Sequence, residues 1–492
     1  MSRGRVVVIG SGLGGLSAAC HLAGGGYEVS VFERHDQPGG RATRLEKGGY
    51  SFDVGPTVLT MRGILAATFD AAGATLEDHL NLHRLDPAYR AVYADGSTIR
   101  VRASRDAMAN EIRTACSAGD AAGFERFCEW LERLYRAELA PFIDRNYDSV
   151  VDLARPLGPA VRLARLRGFG NLERRVGTFF ADERLKRLFS FQALYAGLAP
   201  HRALALYAVI TYMDTVEGVF HAEGGMGAVP RALATAAEKA GAAITYNTGV
   251  ERVVLSRGTN GSVRGVRLNS GEFVPAEHVV CNVEPAVAYR TILPGLTAPR
   301  VARRGHYSPS AVVWHGGVAG ALPGEVAHHN IHFGPSWRTA FDELFANRVM
   351  SEPSTLVSVP TVSEPELAPP GGSVLYALEP APNLDGDLDW TRQRPIFRDR
   401  LVRRLGALGY PTEIEEEALF DPLDWERDGL ERGTPFSLAH RFGQTGPFRS
   451  PNVDGRVPGL VFVGAGTVPG VGVPMVLLSG RLAAERVAGA GS

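Results

Sequence analysis

The stretch "RVVVIGSGLGGLSAACHLAGGGYEVSVFE" at residues 5–33 decides the fold. Its opening run, residues 5–9, is short, apolar and β-branched, the pattern of a strand buried on both faces. Gly10-Ser11-Gly12-Leu13-Gly14-Gly15 follows, then a helix over 14–23 and a second strand over 27–33. Strand, glycine turn, helix and strand make a βαβ unit. In that context the GxGxxG spacing has a mechanical meaning: Gly10 permits the tight turn, Gly12 lets a pyrophosphate reach the backbone, and Gly15 lets helix and strand pack closely. The free N–H groups and positive dipole end of the helix then face the phosphates. Glu33 ends the second strand 33 − 10 = 23 residues after Gly10. A carboxylate there accepts hydrogen bonds from ribose hydroxyls. The stretch therefore predicts an α/β fold built on a dinucleotide site.

Working outward, 492 residues exceed one compact core and predict two or three domains. A net charge of −1 gives no global field for nucleic acid. Cys20, Cys116, Cys128 and Cys281 form no CxxC pair, so neither a disulfide framework nor a zinc ribbon is expected. No signal-peptide pattern precedes the first strand, and no apolar run reaches the roughly 18 residues of a spanning helix. A cytoplasmic protein is the expectation. Residues 104–221 read as mostly helical. Three strand-like runs from 244 to 282, separated by the turns GTNG and NSGE, predict an antiparallel meander. Residues 300–430 mix strands with proline-rich loops.

A second strand, glycine turn and helix, "VFVGAGTVPGVGVPMVLLSGRLAAERV", stands at 461–487. Two phosphate cradles suggest two nucleotides or one long one. After Glu33 and Arg34 come Gly39-Gly40-Arg41 and then Gly55-Pro56-Thr57. Arg41 can neutralise pyrophosphate charge, a contact that a nicotinamide Rossmann domain does not need. These residues resemble the FAD-binding set of the amine oxidase and phytoene desaturase superfamily. The resemblance implies FAD held by Gly10 to Gly15, Glu33, Arg34, Gly40, Arg41, Gly55, Pro56 and Thr57. It further implies a backbone contact from Val250 to adenine and a place for Asn282 at the ADP end. Gly464, Ala465 and Gly466 would approach the ribityl chain and phosphate. Gly472, Val473 and Pro474 would offer N–H groups and a helix dipole to the flavin edge, stabilising its reduced anion. One long cofactor, held at both ends, would then account for both turns.

The closing segment is similar to the C-terminal signature of bacterial-type phytoene desaturases. So are "GTPFSLAHRFGQTGPFRSPN" at 433–452, "FHAEGGMGAVPRALATAAEKAG" at 220–241 and "FSFQALYAGLAPHRALALYAVITYMDTVEG" at 189–218. One departure stands out: Val468 occupies a position where the family often has His, Gln or Thr. The resemblance implies desaturation of phytoene toward neurosporene or lycopene, with hydride passing to flavin N5 and oxygen or a quinone as electron acceptor. It also implies a discontinuous FAD-binding domain of residues 1–75, 222–296 and 455–492. Residues 76–221 and 297–454 would form the substrate domain, mixing helices with antiparallel sheet. A later carotenoid desaturase or isomerase, or a flavoenzyme acting on another polyene, is the alternative enzyme reading. The isoprenoid-binding escort proteins of prenylated GTPases, which share this fold, are the non-enzyme one.

Other candidates carry less specific signals. His328, His329 and His332 suggest a metal cluster, but no acid lies near them in sequence, so a polar strand or loop edge and no metal are expected. Asp144, Arg145 and Asp148 are candidates for general acid or base against the plainer reading of a helix cap with ion pairs. His440, toward the flavin end, is a similar candidate. Cys281 reads as a packed residue, lacking a basic neighbour in sequence. Residues 155–187 hold nine Lys or Arg and three Asp or Glu, a balance of 9 − 3 = +6, interleaved with Leu and Phe. Such a patch suits the anionic inner face of the cell membrane, where a lipid-dissolved substrate would be collected. It equally suits a solvated helix face.

Overall fold

The computed structural model describes residues 3–153, 157–256 and 261–490. Arg155 of the basic segment and Gly258, Thr259 and Asn260 of the GTNG turn lie outside the described residues.

The strand Arg5–Ile9 is the centre of a five-stranded parallel sheet. Glu28–Phe32 and then Ala243–Thr245 lie on one side of it, His278–Cys281 and then Leu460–Phe462 on the other. Val6, Val7 and Val8 are almost fully buried, which is why the sequence shows an unbroken apolar run rather than an alternation. From the central strand the chain first crosses to Glu28–Phe32 through the helix Leu13–Gly24, and only much later returns on the opposite side. Gly10 and Asn282 therefore sit at the carboxyl ends of adjacent strands whose connections diverge. That crevice is where open α/β sheets bind ligands.

The expected meander is corrected by the structure. Five short strands replace three: Val250–Leu255, Val263–Leu268 and Phe273–Pro275 form an antiparallel ladder, while Ala243–Thr245 and His278–Cys281 leave it for the parallel sheet. Asn247, with φ +53°, turns the chain between the first two strands. The run His278–Cys281 is buried at three of its four positions, the signature of a sheet interior rather than a half-exposed ladder.

A second, seven-stranded sheet runs in the order Glu413–Phe420, Ser310–Ala319, Gly372–Ala381, Thr355–Ser358, His329–His332, Tyr89–Val92, Thr98–Val101. Its pairings are antiparallel except that between His329–His332 and Tyr89–Val92. The helical layer begins with Arg105–Ala115 and Ala118–Glu138, the latter capped by Ser117, whose Oγ accepts from the Asp120 N–H at 3.0 Å. Phe124, Phe127, Leu131 and Leu134 of that helix are buried and form its inner stripe. Beyond Glu138 the helices are short and turn often, so the region is less continuous than the sequence pattern predicted. No helix among the described residues is long and apolar enough to cross a membrane.

Candidate active site

A cavity of about 1590 Å³ runs from the carboxyl ends of the parallel sheet into the space between the helical layer and the second sheet. The two glycine turns meet at its floor. A Cβ on Gly12 would stand 2.7 Å from Asn282 Nδ2, and one on Gly464 would stand 2.9 Å from Asn282 Oδ1. Asn282 thus lies wedged between the turns, and its amide reaches the Gly10 carbonyl at 3.4 Å. Gly15 is required for packing: a Cβ there would lie 2.1 Å from the Gly10 carbonyl oxygen. It does not line the cavity; Gly10, Gly12, Leu13 and Gly14 do.

Ser11 is fully buried and faces away from the cavity. Its N–H and hydroxyl both donate to Glu33 Oε2, at 2.7 and 2.9 Å, while the His35 N–H donates to Oε1 at 3.0 Å. Glu33 is 5% exposed and still borders the cavity, so its anion is pre-oriented by the first turn itself. Arg34 lies beside it, its Nη2 donating to the Asp428 carbonyl at 2.8 Å. Arg41 reaches the Pro435 carbonyl, and burial lowers its guanidinium from the ordinary arginine value with Glu284 opposing. Glu284 in turn accepts from Ser437 Oγ at 2.8 Å and is pushed up by burial. Gly40, Gly55, Pro56, Thr57 and Val250 complete this wall, and the buried hydroxyl of Thr43 beside them has no partner among the described residues.

Gly464, Ala465, Gly466, Gly472, Val473 and Pro474 line the opposite end of the floor, with Val468 between them. Their loop is braced from behind by Arg449, 1% exposed. Its guanidinium donates to the carbonyls of Ala465 at 2.6 Å, Thr467 at 3.0 Å and Leu438 at 3.1 Å. Burial lowers its pKa to about 10, so it remains a cation at neutral pH. Sequence reading missed Arg449 and Glu284. Their only signal was a lone charge in otherwise apolar or small company, "GPFRSPN" and "CNVEPAV".

The residues present fit a long dinucleotide cofactor. Glycine cradles stand at both turns, and the first helix has no side-chain cap at its N-terminus, leaving its N–H groups to a ligand. Glu33, Arg41 and Thr43 border the same wall, the Thr43 hydroxyl without a partner among the described residues. Beyond this floor the cavity becomes apolar, walled by Phe142, Ile143, Phe191, Leu194, Ile210 and Met213. It passes Ala160 and Leu163 to Phe169 and Phe442, which are 46% and 57% exposed and mark where it reaches the surface.

The catalytic candidates separate. Asp144, Arg145 and Asp148 do not line the cavity. Asp144 pairs with Arg481 and Asp148 with Arg486, both on the C-terminal helix Val473–Ala490, and Arg145 lies over the Tyr147 ring. His440 does line it, but burial holds its imidazole well below the ordinary value, with Arg449 acting in the same direction. His328, His329 and His332 occupy a buried interior strand and its approach, not a polar edge. They contact Ser363, Ser358 and Tyr410, and no metal-binding group occurs among the described residues. Of the basic segment, Arg184 and Lys186 pair with Asp182 and Glu183, and Arg175 lies over Trp130. Arg162, Arg165, Arg167 and Arg174 stay exposed. Cys281 is buried and its thiol is raised to about 12, a packed residue as expected.

Comparison with known proteins bears on this site. The family of flavin containing amine oxidoreductases matches residues 13–488. The chain is 48% identical to a phytoene dehydrogenase of Streptomyces griseus, over 98% of this chain and 95% of that one. It is 37% identical to a zeta-carotene-forming phytoene desaturase of Myxococcus xanthus, over 98% and 93%. It is 31% identical to a neurosporene-forming phytoene desaturase of Rhodobacter capsulatus, over 98% and 94%. Among solved structures, an oxidoreductase from Methanosarcina mazei superposes with a TM-score of 0.63 at 19% identity, over 97% of this chain and 99% of that one. A Rab GDI from Plasmodium falciparum superposes with a TM-score of 0.53 at 12% identity, over 85% and 88%. These two likenesses establish the fold alone. Taken with the cradle at both turns, the family match makes the cofactor FAD: the chain belongs to the flavin containing amine oxidoreductases and, within them, to the phytoene desaturase family.

Proposed function

We propose that this flavoenzyme desaturates carotenoid precursors, converting phytoene toward neurosporene or lycopene. The observation that carries this reading is the cavity itself. One end is a dinucleotide floor and the other an apolar arm opening at Phe169 and Phe442. Such an arm suits a long hydrocarbon without hydrogen-bonding groups, which is held by burial and shape alone. The relatives named for phytoene conversion, 48% and 37% identical, support the same substrate class.

In this reading residues 1–75, 222–296 and 455–492 form the FAD-binding unit. FAD supplies the hydride acceptor, with oxygen or a quinone as its oxidant. The chain's own work is placement. Gly12 and Gly14 would admit the pyrophosphate, Arg41 would offset its charge, Glu33 would receive the ribose hydroxyls, and the Gly472–Pro474 turn would hold the flavin end. Arg449 holds that turn in shape, and the apolar arm excludes water while a C–C bond is aligned with it.

We further infer that the mouth docks on the inner face of the membrane. Leu157, Val161, Phe169 and Phe442 are exposed there beside Arg162, Arg165 and Arg167. Apolar residues among cations suit an anionic lipid surface, each cation adding about 1 kcal/mol. Incubating the purified protein with phytoene in anionic liposomes and extracting the pigment tests the function. A conjugated product counts for it, and unaltered phytoene in the presence of an electron acceptor counts against it. Replacing Arg162, Arg165 and Arg167 together by Glu is expected to reduce pelleting with those liposomes while flavin content stays normal. Undiminished pelleting would contradict the docking face.

A further inference from the structure

Desaturation removes a hydride from one carbon and a proton from its neighbour, and the proton needs an acceptor inside an arm walled by hydrocarbon. Five groups facing that arm or named above as candidates qualify by chemistry. His440 is held neutral by burial and sits behind the flavin-side turn, its Nε2 lying 3.4 Å from the Val471 nitrogen. Asp144 and Asp148 are consumed by ion pairs outside the cavity. Glu138 lines the arm, but its Oε1 has no partner among the described residues and its carboxyl is pushed far up by burial alone. A buried carboxyl with no donor to stabilise its anion is held toward its neutral form.

Asp214 is different. It lines the cavity, is 3% exposed, and is held by two donors of fixed orientation. Thr215 Oγ1 donates to Oδ1 at 2.8 Å, and Gln192 Nε2 donates to Oδ2 at 3.2 Å. The Gln192 amide cannot turn over at no cost, because its Nε2 also donates to the Leu188 carbonyl and its Oε1 accepts from Thr211, each at 3.2 Å. The phenol of Tyr89, buried and without a close hydrogen-bond partner among the described residues, lies near Asp214 and Tyr195 and acts to lower the Asp214 pKa. Asp214 is the second residue of the segment Met213–Glu217, a single wide π-helical turn of the kind that collects at functional sites. Its neighbour Met213 packs with Met61 and Val209, and Met475, the residue after Pro474, rests on that cluster. Asp214 thus follows directly on a side chain that packs beside the flavin-side turn, and itself lines the cavity.

We propose that Asp214 is the proton acceptor of the desaturation, its carboxylate forming an O–H bond with the proton that leaves the substrate carbon. This rests on the polyene reading given above. The step balances: one C–H bond gives up hydrogen and both electrons to the oxidised cofactor. The electron pair of the adjacent C–H bond becomes the new C=C, and the proton stays on Asp214 until it is lost to solvent before the next turnover. Burial raises the Asp214 carboxyl to about 7, with Thr215 and Gln192 restraining the rise, so both protonation states are accessible at neutral pH. The groups facing it are the Thr215 hydroxyl, the Gln192 amide and the phenols of Tyr89 and Tyr195.

The test uses the holoenzyme and its Asp214→Asn variant under anaerobic conditions, following flavin bleaching on mixing with phytoene in liposomes. The variant is expected to keep the parent's flavin content but to reduce its flavin about 10²–10⁴-fold more slowly. The parent's rate is expected to rise with pH through neutrality. Infrared difference spectra provide a readout independent of turnover: a carboxylic acid band should titrate near neutral pH in the parent and be missing from the variant. Tyr89→Phe removes a group that favours the anion and should move the pH limb upward. Parental bleaching rates in Asp214→Asn, a carboxylic acid band that still titrates near neutral pH in it, or a limb unmoved by Tyr89→Phe would each overturn the assignment. If the parent's own flavin fails to bleach with any polyene, the functional reading falls and the assignment with it.

Discussion

Gly14 and Gly464 belong to turns at opposite ends of the chain, yet a Cβ on Gly14 would stand 3.0 Å from the Gly464 nitrogen. The two turns are one floor, and Asn282 lies between them. That contact answers why a second glycine turn stands so near the C-terminus: it completes the site that the first one begins.

Gly12→Val should abolish flavin binding. The added side chain would displace the Asn282 amide, 2.7 Å from where its Cβ would lie, and fill the space left for pyrophosphate. Flavin content of the purified variant is the check, and a parental content would remove Gly12 from the cradle.

Glu33→Ala should cost more than a ribose contact. Three donors, the Ser11 N–H, the Ser11 hydroxyl and the His35 N–H, lose their acceptor together. Leaving a buried donor unpaired costs about 1–3 kcal/mol. We expect denaturant stability of the flavin-free protein to fall by a few kcal/mol. Glu33→Gln, which keeps an acceptor oxygen, should recover part of the loss. An unchanged unfolding midpoint in Glu33→Ala would show that the first turn does not depend on this carboxylate.

Arg449→Met should loosen the flavin-side turn. The carbonyls of Ala465, Thr467 and Leu438 would lose a charged donor in a buried setting, at a cost on the order of 3 kcal/mol or more. The expected signature is weakened flavin retention together with a lowered thermal midpoint. Full retention at an unchanged midpoint would contradict the bracing role.

His315 gives a pH prediction away from the cavity. It is fully buried among Phe52, Tyr376 and Phe420, neither ring nitrogen has a partner among the described residues, and burial lowers its pKa to about 3. The folded pKa is below the unfolded one, so the unfolded chain takes the proton first. Its stability contribution is full above about pH 6.5 and falls as pH drops. His315→Leu removes that liability. The variant's advantage over the parent should widen by about 1.4 kcal/mol per pH unit below about pH 6.5. Denaturant midpoints across this range that keep a constant gap would mean His315 is protonated in the folded state.

The strands Arg5–Ile9, Glu28–Phe32 and Leu460–Phe462 of the parallel sheet were legible because they are short, apolar and bounded by glycines, and because Gly10, Gly12 and Gly15 carry a mechanical meaning at fixed spacing. The pairing of residues 243–282 was not, since nothing local tells a strand whether its partner is the next strand or Arg5–Ile9. Within the floor, Glu33 and Arg41 were legible from charge and spacing. Arg449 and Glu284 were not, because a lone charge announces its burial only when the surrounding carbonyls and hydroxyls are seen. Asp144 and Asp148 looked reactive in a row of ionisable residues, and in space they meet Arg481 and Arg486. Asp214 stood in an apolar helical stretch, and only the positions of Gln192, Thr215 and Tyr89 set it apart.

The central claim is that a hydrocarbon polyene occupying the apolar arm delivers its electrons to the flavin on the glycine floor. The direct measurement is an anaerobic titration of the purified flavoprotein with phytoene in liposomes, recording flavin and pigment absorbance together. The account predicts bleaching of the flavin in proportion to the conjugated double bonds formed, reversed when an electron acceptor is admitted. A flavin that stays oxidised while the extracted phytoene remains unchanged would contradict it.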